Sequence, residues 1–250
     1  MSKSKFIQIE SKNALLELLK EGRTFDKIYT ASNAFKDPKS REIFELASKQ
    51  HVPLVKVSRR ALNRKLRTSS SESLVGYMVS ENDWNLEELL EKIYSEKKQP
   101  FFLILDNLKY TQNIAAIMRT SFGAGVNGII INTQDKSMIS DETIRISMGA
   151  AERVPLVEMN LFNALKVLKE NAVKTYAVHM EGKYYYDIDL TGPIAFILGA
   201  EDTGISTGML ERVDDKISIP MREVIGSLNV GASAAVLVYE KLRQEVKGLE

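Results

Sequence analysis

Residues 194–204 read Ile-Ala-Phe-Ile-Leu-Gly-Ala-Glu-Asp-Thr-Gly. The first five residues form a continuous apolar run, which is typical of a strand buried on both faces of a sheet. Gly199 follows this run directly, and a glycine at that point lets the backbone turn tightly and come close to a ligand. Two carboxylates, Glu201 and Asp202, come next. The stretch therefore predicts a buried strand that ends in a polar loop.

Apolar runs of the same kind recur through the C-terminal part of the chain and alternate with helical patterns. Strands are predicted at residues 101–105, 128–131, 154–158, 174–178, 194–198 and 216–219, and helices at 113–122, 161–170 and 228–246. This alternation indicates an α/β fold with a parallel sheet covered on both faces. Ligands of such sheets bind beyond the carboxyl ends of the strands, which is where Gly199 and Glu201 fall.

The N-terminal part is expected to be a separate, smaller α/β unit. Helices are predicted at residues 14–20 and 40–49, and strands at 27–31, 53–57 and 74–79. A basic helix is predicted at 58–67, followed by a polar loop at 68–71. A further helix opens at Asn85 with capping-box spacing and stops near residue 96, where Pro100 disfavours helix at the preceding position. These patterns predict two domains, residues 1–97 and 98–250.

The net charge of +1 conceals an asymmetry between the two parts. Residues 1–67 hold 16 Lys and Arg against 7 Asp and Glu, whereas the remainder holds 18 against 26. A basic front suggests that the N-terminal part binds a polyanion. The alternative is that these basic helices are simply solvated.

The composition also argues against several classes of protein. The chain has no Cys and two His, which disfavours disulfides and thiolate or histidine metal centres, so no metal is expected. No apolar run is long enough to span a membrane, and the N-terminus lacks the apolar core of a signal peptide. A cytoplasmic protein is expected.

Two further phrases accompany the stretch at 194–204. Residues 113–120 read Asn-Ile-Ala-Ala-Ile-Met-Arg-Thr, and Ile-Ser-Ile-Pro-Met at 217–221 is followed by Ser-Leu-Asn-Val at 227–230. Asn229 falls at the start of the final helix, with Ser227 as a plausible N-cap. Arg119 lies on a largely apolar helix and must find a carboxylate, a phosphate or water. The alternative role of Arg119 is a structural ion pair with Glu201 or another acid.

In this order and spacing, the three phrases resemble the motifs of the SpoU (TrmH-type) RNA ribose 2′-O-methyltransferases, over about residues 100–246. The N-terminal part resembles the ribosomal-protein-like substrate-binding domain of the ribosomal-RNA branch of that family. The resemblance implies an α/β methyltransferase domain with a deep trefoil knot, S-adenosylmethionine as cofactor and a homodimer formed through that domain.

The resemblance also implies roles for individual residues. The catalytic set would be Asn113, Arg119, Glu201, Ser227 and Asn229. The cofactor would be held, mostly through backbone groups, by Gly199, Ile219, Met221 and Leu228. RNA would contact the basic residues Arg59, Arg60, Arg64, Lys65 and Arg67.

Some positions depart from the family pattern. Tyr110-Thr111 stands where Asp-Pro is common, Ala115 replaces a frequent Gly, and Gly231 replaces a frequent Ser. The family Arg is regarded as helping to activate the 2′-hydroxyl, yet an ordinary arginine is protonated far above neutral pH. We therefore expect Arg119 to position the phosphate and the hydroxyl, and the sequence leaves the proton acceptor unassigned.

The function expected is S-adenosylmethionine-dependent 2′-O-methylation of RNA, with ribosomal RNA, large-subunit RNA above all, as the favoured target and transfer RNA as the alternative. A non-catalytic RNA-binding or ribosome-assembly protein with the same fold is the second hypothesis. An unrelated nucleotide-binding enzyme has no support, because neither Gly-x-Gly-x-x-Gly nor a Gly-x-x-x-x-Gly-Lys phosphate loop is present.

Overall fold

The computed structural model describes residues 6–31, 34, 37–66, 73–79, 83–133, 140–222 and 227–247. By their internal contacts the residues form two compact units. The first consists of Met1–Glu81 and Ile139–Arg145, and the second of Asn82–Met138 and Ile146–Glu250. The contact-based division thus falls before the helix that opens at Asn85, whereas the sequence predicts the domain boundary at residues 97 and 98. The extent of each independently folding domain stays a prediction.

The first unit is a four-stranded mixed sheet with helices on both faces. Its elements are β1 (Phe6–Ile9), α1 (Lys12–Lys20), β2 (Phe25–Ala31), α2 (Pro38–Lys49), β3 (Leu54–Val57), α3 (Arg59–Asn63) and β4 (Leu74–Val79), together with part of α6 (Asp141–Ile146). The strand order is β1-β4-β2-β3, with β2 and β3 parallel and the other two pairs antiparallel.

Opposite sides of β4 hold the helices of this unit. A methyl group at Gly76 would lie 2.6 Å from Leu15 Cδ1, so α1 packs tightly over that glycine. Val75 points to the other face, because successive residues of a strand alternate, and there it packs with Ala31 of β2 and Leu62 of α3. The basic helix α3 therefore lies on the face opposite to α1. It is shorter than predicted: the helix spans Arg59–Asn63 with Ser58 as its N-cap, whereas a helix was predicted over 58–67.

The second unit is a six-stranded, wholly parallel sheet. Its elements are α4 (Leu86–Ser95), β5 (Phe101–Asp106), α5 (Thr111–Gly123), β6 (Gly128–Ile131), β7 (Leu156–Glu158), α7 (Leu161–Glu170), β8 (Lys174–Tyr184), β9 (Ile194–Gly199), α8 (Thr207–Leu210), β10 (Asp215–Ser218) and α9 (Val230–Lys247). The strand order is β10-β8-β9-β5-β6-β7. The predicted α/β class is confirmed, with a smaller α/β unit that precedes the parallel sheet along the chain.

The core of this unit explains why its strands read as continuous apolar runs. Every residue of β5 and β6 is buried, because helices cover both faces of the sheet. One buried cluster joins strand residues such as Phe102 and Ile197 to the apolar faces of α4 and α7. The order of the strands puts β5 and β9 side by side, with Asp106 directly opposite Gly199. The carboxyl ends of these two strands therefore form one edge, on which the predicted site lies.

No helix in the described ranges is long and apolar enough to cross a membrane.

Candidate active site

The loop after β9 is closed on itself by two backbone hydrogen bonds. Ala200 N donates to Gly204 O at 3.1 Å, and Gly204 N donates to Ala200 O at 2.8 Å. Gly204 has a φ of +67°, which favours glycine. A Cβ atom at Gly199 would overlap with the backbone of Gly204 and Ile205. Gly199 is therefore required because the returning loop touches it, and Glu201 is presented at the tip of a tight turn.

A buried carboxylate at the end of β5 anchors the far side of this loop. Asp106 is 3% exposed, and its Oδ2 accepts a hydrogen bond from the backbone N of Ser206 at 2.8 Å. Its Oδ1 accepts a hydrogen bond from Asn107 Nδ2 at 2.9 Å. Leaving such a group unpaired would cost about 1–3 kcal/mol. The sequence reasoning missed Asp106, since one Asp at the end of an apolar run carries no spacing signal.

A chain of side-chain hydrogen bonds joins the three sequence motifs. Asn113, in the first turn of α5, donates from Nδ2 to Glu201 Oε1. Asn229 Nδ2 donates to Asn113 Oδ1 at 3.0 Å. Asn229 Oδ1 in turn accepts from Gly231 N at 2.9 Å and from Ala232 N at 3.4 Å. We call Glu201, Asn113 and Asn229 the amide relay; it places residues that are far apart in sequence into one site.

The cap of α9 corrects one expectation. Ser233 N donates to Asn229 O at 2.9 Å, and the Asn229 side chain accepts from the first free backbone N–H groups of the helix. Asn229 is therefore the N-cap, and the helix starts at Val230. The prediction that Ser227 caps this helix is wrong, because Ser227 lies two residues too early. Ser227 is exposed and lines the cavity described next.

A cavity of about 650 Å³ opens beside the relay. Its size lies in the range of small-molecule sites. Predicted residues from both later motifs line it: Gly199, Glu201, Ile219, Met221, Ser227, Leu228 and Asn229. The lining is mixed, with apolar side chains beside the backbone of the loop after β9. His179 of β8 also lines it, and no motif or spacing in the sequence points to this residue.

Close packing of α5 against α9 holds the relay together. A methyl group at Gly231 would lie 3.3 Å from Ala116 Cβ and 3.2 Å from Asn229 Oδ1. The small side chains at Gly231 and Ala116 therefore allow the two helices to approach closely. Gly231, a departure from the family pattern, fits this close approach.

Arg119 lies on α5 but apart from the relay. It is six residues beyond Asn113, which is about 9 Å along the helix axis and about 120° around it. The side chain is exposed and makes no hydrogen bond or ion pair with any residue that the structure describes. Glu201 is bonded to Asn113 instead, and no other described acid pairs with Arg119, so the alternative of a structural ion pair is not observed among the described residues.

Asp202, the carboxylate next to Glu201 in the loop, forms an ion pair with Lys109. Lys109 Nζ lies 2.9 Å from Asp202 Oδ2. The hydrogen bond from Lys109 lowers the pKa of the Asp202 carboxyl, and the same bond raises the pKa of the Lys109 ammonium. Asp202 is thus already paired, whereas Glu201 is bonded only to a neutral amide among the described residues.

The predicted RNA-binding residues lie in the first unit. Arg59 and Arg60 are on α3, while Arg64 and Lys65 follow the helix end, and Arg67 lies outside the described residues, as does the polar loop predicted at 68–71. Arg60 and Arg64 are exposed. Lys65 Nζ lies 4.1 Å from the centre of the Tyr29 ring. The structure therefore brings four of the five basic residues together beside one face of the sheet.

No group of three or more His, Asp or Glu suited to a metal ion occurs within the described ranges.

Comparison with known protein families assigns both parts of the chain. Residues 100–239 match the model of the SpoU rRNA methylase family, and residues 9–77 match the model for RNA 2′-O ribose methyltransferase substrate binding. The first match spans more than half of the 250 residues. The chain therefore belongs to the SpoU rRNA methylase family.

Similar proteins agree with this assignment. YacO of Bacillus subtilis, which carries a TrmH family tRNA/rRNA methyltransferase name, is 30% identical over 235 residues, covering 93% of this chain and 94% of the relative. The 23S rRNA (guanosine-2′-O-)-methyltransferase RlmB of Vibrio cholerae is 32% identical over 199 residues, covering 78% of this chain and 79% of the relative.

Solved structures share the fold. The SpoU methyltransferase AviRb from Streptomyces viridochromogenes gives a TM-score of 0.69 at 18% identity, covering 97% of this chain and 91% of that one. The AdoMet-bound rRNA methyltransferase from Sinorhizobium meliloti gives 0.69 at 19% identity, covering 96% and 87%. The predicted class, an S-adenosylmethionine-dependent RNA ribose 2′-O-methyltransferase, is confirmed by these comparisons.

Proposed function

We propose that this chain methylates the 2′-hydroxyl of a ribose in ribosomal RNA, with large-subunit RNA as the favoured target and S-adenosylmethionine bound in the cavity beside the relay. The observation that carries the proposal is the amide relay. It joins the Asn of the first motif to the Glu of the second and the Asn of the third, at the mouth of a cavity of about 650 Å³. The 23S rRNA named for the RlmB relatives supports the choice of RNA.

The cavity fits the cofactor by size and by chemistry. Ile219, Met221 and Leu228 offer apolar contacts for a flat purine, and the tight loop from Gly199 to Gly204 lines the cavity beside them. We propose that these groups hold the cofactor, which supplies a methyl group activated by a sulfonium. Ser227 lines the same cavity and is proposed to contact substrate or cofactor.

Arg119 is proposed to steer the RNA. A guanidinium donates five hydrogens and accepts none, so it suits a phosphate and cannot readily take a proton. Its exposure and lack of a partner among the described residues leave it available for that contact. Alignment of the hydroxyl with the methyl donor supplies much of the rate in such a reaction.

The proposed function can be tested in two ways. One measures the transfer of labelled methyl groups from S-adenosylmethionine to total RNA by the protein. The other maps which ribose methylation is lost from the RNA of cells that lack the protein. Arg119→Ala is expected to abolish transfer while RNA binding changes little. Turnover near that of the wild type in this variant would remove Arg119 from the mechanism. Loss of a transfer RNA methylation instead would select the alternative substrate, and tight RNA binding without any transfer would indicate the non-catalytic alternative.

The N-terminal unit is proposed to grip the RNA through the basic residues around α3. Phosphate contacts supply affinity, and the 2′-hydroxyl distinguishes RNA from DNA. The charge asymmetry between the halves of the chain and the match of residues 9–77 to a substrate-binding model support this placement.

Three further expectations stay proposals: a homodimer, a knotted chain path and a cytoplasmic location. Phe122 and Tyr239, both about half exposed, offer apolar surface on α5 and α9 for a second copy. At Gly182, a Cβ would lie 2.5 Å from Ile217 N, which shows how closely the β10 segment passes β8. Light scattering tests the dimer, and its failure would leave the chemistry above unaffected.

A further inference from the structure

Three consecutive tyrosines, Tyr184, Tyr185 and Tyr186, adjoin one another on the surface of the second unit, and we call them the tyrosine cluster. The ring centres of Tyr184 and Tyr186 lie 5.5 Å apart at an interplanar angle of 37°, and the rings of Tyr185 and Tyr186 meet edge to face at 5.2 Å. Tyr184 is 48% exposed and Tyr186 is 52% exposed. Single exposed apolar side chains are ordinary on a protein surface, whereas adjoining rings offer flat faces to a ligand.

The backbone that carries the cluster is anchored although the rings are exposed. Tyr185–Asp187 forms one turn of 3₁₀-helix. Directly after it, Gln244 of α9 donates from Nε2 to Ile188 O at 3.1 Å and accepts from Leu190 N at 2.8 Å. Leu190 itself is fully buried. The rings therefore project from a fixed segment, and a ligand that contacts them loses little free energy in ordering them.

The cluster begins where the chain leaves the wall of the cavity. Successive residues of β10, Lys216 and Ile217, pair with residues of β8 that are six positions apart, Ala177 and Lys183. The segment of β8 between them includes three residues that line the cavity, Val178, His179 and Met180.

The strand pairing then brings the first ring next to another part of the same wall. Tyr184 is paired with Ser218, which also lines the cavity. Neighbouring strands lie about 4.8 Å apart, so the backbone of Tyr184 is one strand spacing from the lining. The tyrosine cluster is therefore continuous with the proposed site of methyl transfer.

The charges beside the cluster do not favour phosphate groups. Lys183 pairs with Asp215 at 3.3 Å, and Arg243 pairs with Glu240 at 2.6 Å. Asp187, at the end of the turn, adds a negative charge close to the rings. A ligand that binds here is therefore held through the ring faces and not through a cationic surface. This distinguishes the cluster from the basic residues around α3.

We propose that Tyr184 and Tyr186 form a stacking site for an unpaired base next to the target nucleotide, an inference that rests on the proposed function. The target ribose must enter the cavity, so the nucleotides that flank it pass over the adjoining wall. Aromatic side chains bind unpaired bases of RNA by stacking on them, which a base inside a duplex does not permit. The substrate class is therefore RNA that presents the target ribose in a single-stranded segment.

The exposed area favours a base over a second copy of the chain. A ring buries about 150–250 Å² when it is wholly covered, so two half-exposed rings offer roughly 200 Å². Each partner in a stable protein interface buries about 800 Å². The cluster alone is thus too small for a protein interface, whereas one flat base covers it.

Leucine at both exposed positions tests the stacking site, because it keeps an apolar side chain and removes the flat ring. For Tyr184→Leu with Tyr186→Leu, filter binding of a short single-stranded RNA of mixed sequence is expected to show an affinity about tenfold lower than that of the wild type. Tyr184→Phe with Tyr186→Phe keeps both rings and should bind within about threefold of the wild type. The dependence of affinity on salt should be unchanged, since no phosphate contact is lost. The same RNA annealed to its complement should bind all three proteins equally.

The exposed ring of Phe162, on α7 of the same unit, supplies the matched control. Phe162→Leu is expected to leave the affinity for the single-stranded RNA unchanged. Calorimetry should give the same affinity for S-adenosylmethionine in every variant, which shows that the cavity is intact.

Five outcomes would overturn the inference. They are unchanged RNA affinity in the double leucine variant, an altered salt dependence, equal weakening for single strand and duplex, a parallel loss of cofactor affinity, and a change of oligomeric state by light scattering. The last would assign the rings to contact with a second copy. If the tyrosines bind single-stranded RNA as expected but the wild-type protein transfers no methyl group, the proposed function fails and the stacking site stands.

Discussion

Gly199 occupies a position where a side chain has no room. Its missing Cβ would overlap with the backbone of Gly204 and Ile205, and backbone cannot move aside as a flexible side chain can. Gly199→Ala is therefore expected to destabilise the protein by about 1–3 kcal/mol or more and to abolish cofactor binding. Urea denaturation and binding calorimetry measure the two effects.

A matched control for this variant lies nearby in α8. A Cβ at Gly208 would meet the Phe162 ring at 3.1 Å, but that side chain is exposed and can shift. Gly208→Ala is expected to cost much less in stability and to leave cofactor binding intact. Equal losses in both variants would mean that the close approach at Gly199 is not what matters.

The Lys109–Asp202 pair predicts a pH effect with a definite sign. The hydrogen bond from Lys109 lowers the pKa of Asp202 below its ordinary value of 3.8. A carboxyl whose pKa is lowered by folding stabilises the folded state at every pH above its ordinary pKa. This stabilisation is lost as the pH falls through the lowered pKa of the folded state. In Lys109→Gln, an NMR titration should show the Asp202 pKa rising towards 3.8.

Asp189 serves as the internal reference in that titration. Its pKa is lowered by the hydroxyl and backbone of Thr191, and Lys109 is not among the causes of that shift. It is expected to stay low in Lys109→Gln. A parallel rise of both carboxyls would indicate a general change in the protein rather than loss of the ion pair.

Many residues of the site could be predicted from the sequence because of where they stand between strands and helices. Gly199, Glu201 and Asn229 stand at the junctions between strands and helices, and such junctions mark ligand sites in parallel sheets. Asp106 and His179 were missed because neither belongs to a spaced set of polar residues. Their position became visible only when β5, β8 and β9 were placed side by side.

Among elements, the best predicted strands were those buried on both faces, such as β5, β6 and β9. Their continuous apolar runs are typical of strands buried on both faces. The strand β1 was missed because it combines Phe6 and Ile7 with the polar Gln8 near the N-terminus. The helix α3 was predicted too long because its basic residues continue past Asn63 without any breaker. The pattern of side chains thus predicts whether an element is buried more accurately than it predicts where the element begins and ends.

Substitutions at Asn229, the N-cap of α9, can separate its contribution to stability from its hydrogen bond to Asn113. Serine is as good an N-cap as asparagine but is too short to bond both the helix N–H groups and Asn113. Asn229→Ser is therefore expected to keep the unfolding free energy within about 0.5 kcal/mol and to lower methyl transfer at least tenfold. Urea denaturation and single-turnover transfer are the measurements.

Asn229→Ala is the companion variant, since it removes both functions of the side chain. It is expected to lose about 1 kcal/mol of stability in addition to the transfer defect. Unimpaired transfer in Asn229→Ser would show that the bond between Asn229 and Asn113 is dispensable.

The strand order of the six-stranded sheet could not be predicted from the sequence pattern. The order β10-β8-β9-β5-β6-β7 depends on pairings between segments as far apart as Asp106 and Gly199, for which a single sequence gives no signal. The division of charge between the two parts was accessible, because it needs only a count.

Removal of basic charge near α3 is expected to change how RNA binding responds to salt. Each phosphate contact releases counterions and steepens the fall of log affinity with log salt concentration by roughly 0.7–0.9. Arg60→Gln with Arg64→Gln removes two exposed guanidiniums and should weaken binding and flatten that slope by about 1.5. Filter binding of ribosomal RNA fragments across a series of salt concentrations gives both quantities.

The helix α2 offers a control with the same change in charge. Lys39 and Lys49 lie on this helix, which packs beside α1, the helix on the face of the sheet opposite to α3. Lys39→Gln with Lys49→Gln should leave the slope nearly unchanged if the contact is local to α3. Equal slopes for both double variants would contradict this, because contacts confined to one face of the sheet must distinguish α3 from α2. RNA binding would then depend on the net charge of the unit rather than on the basic residues around α3.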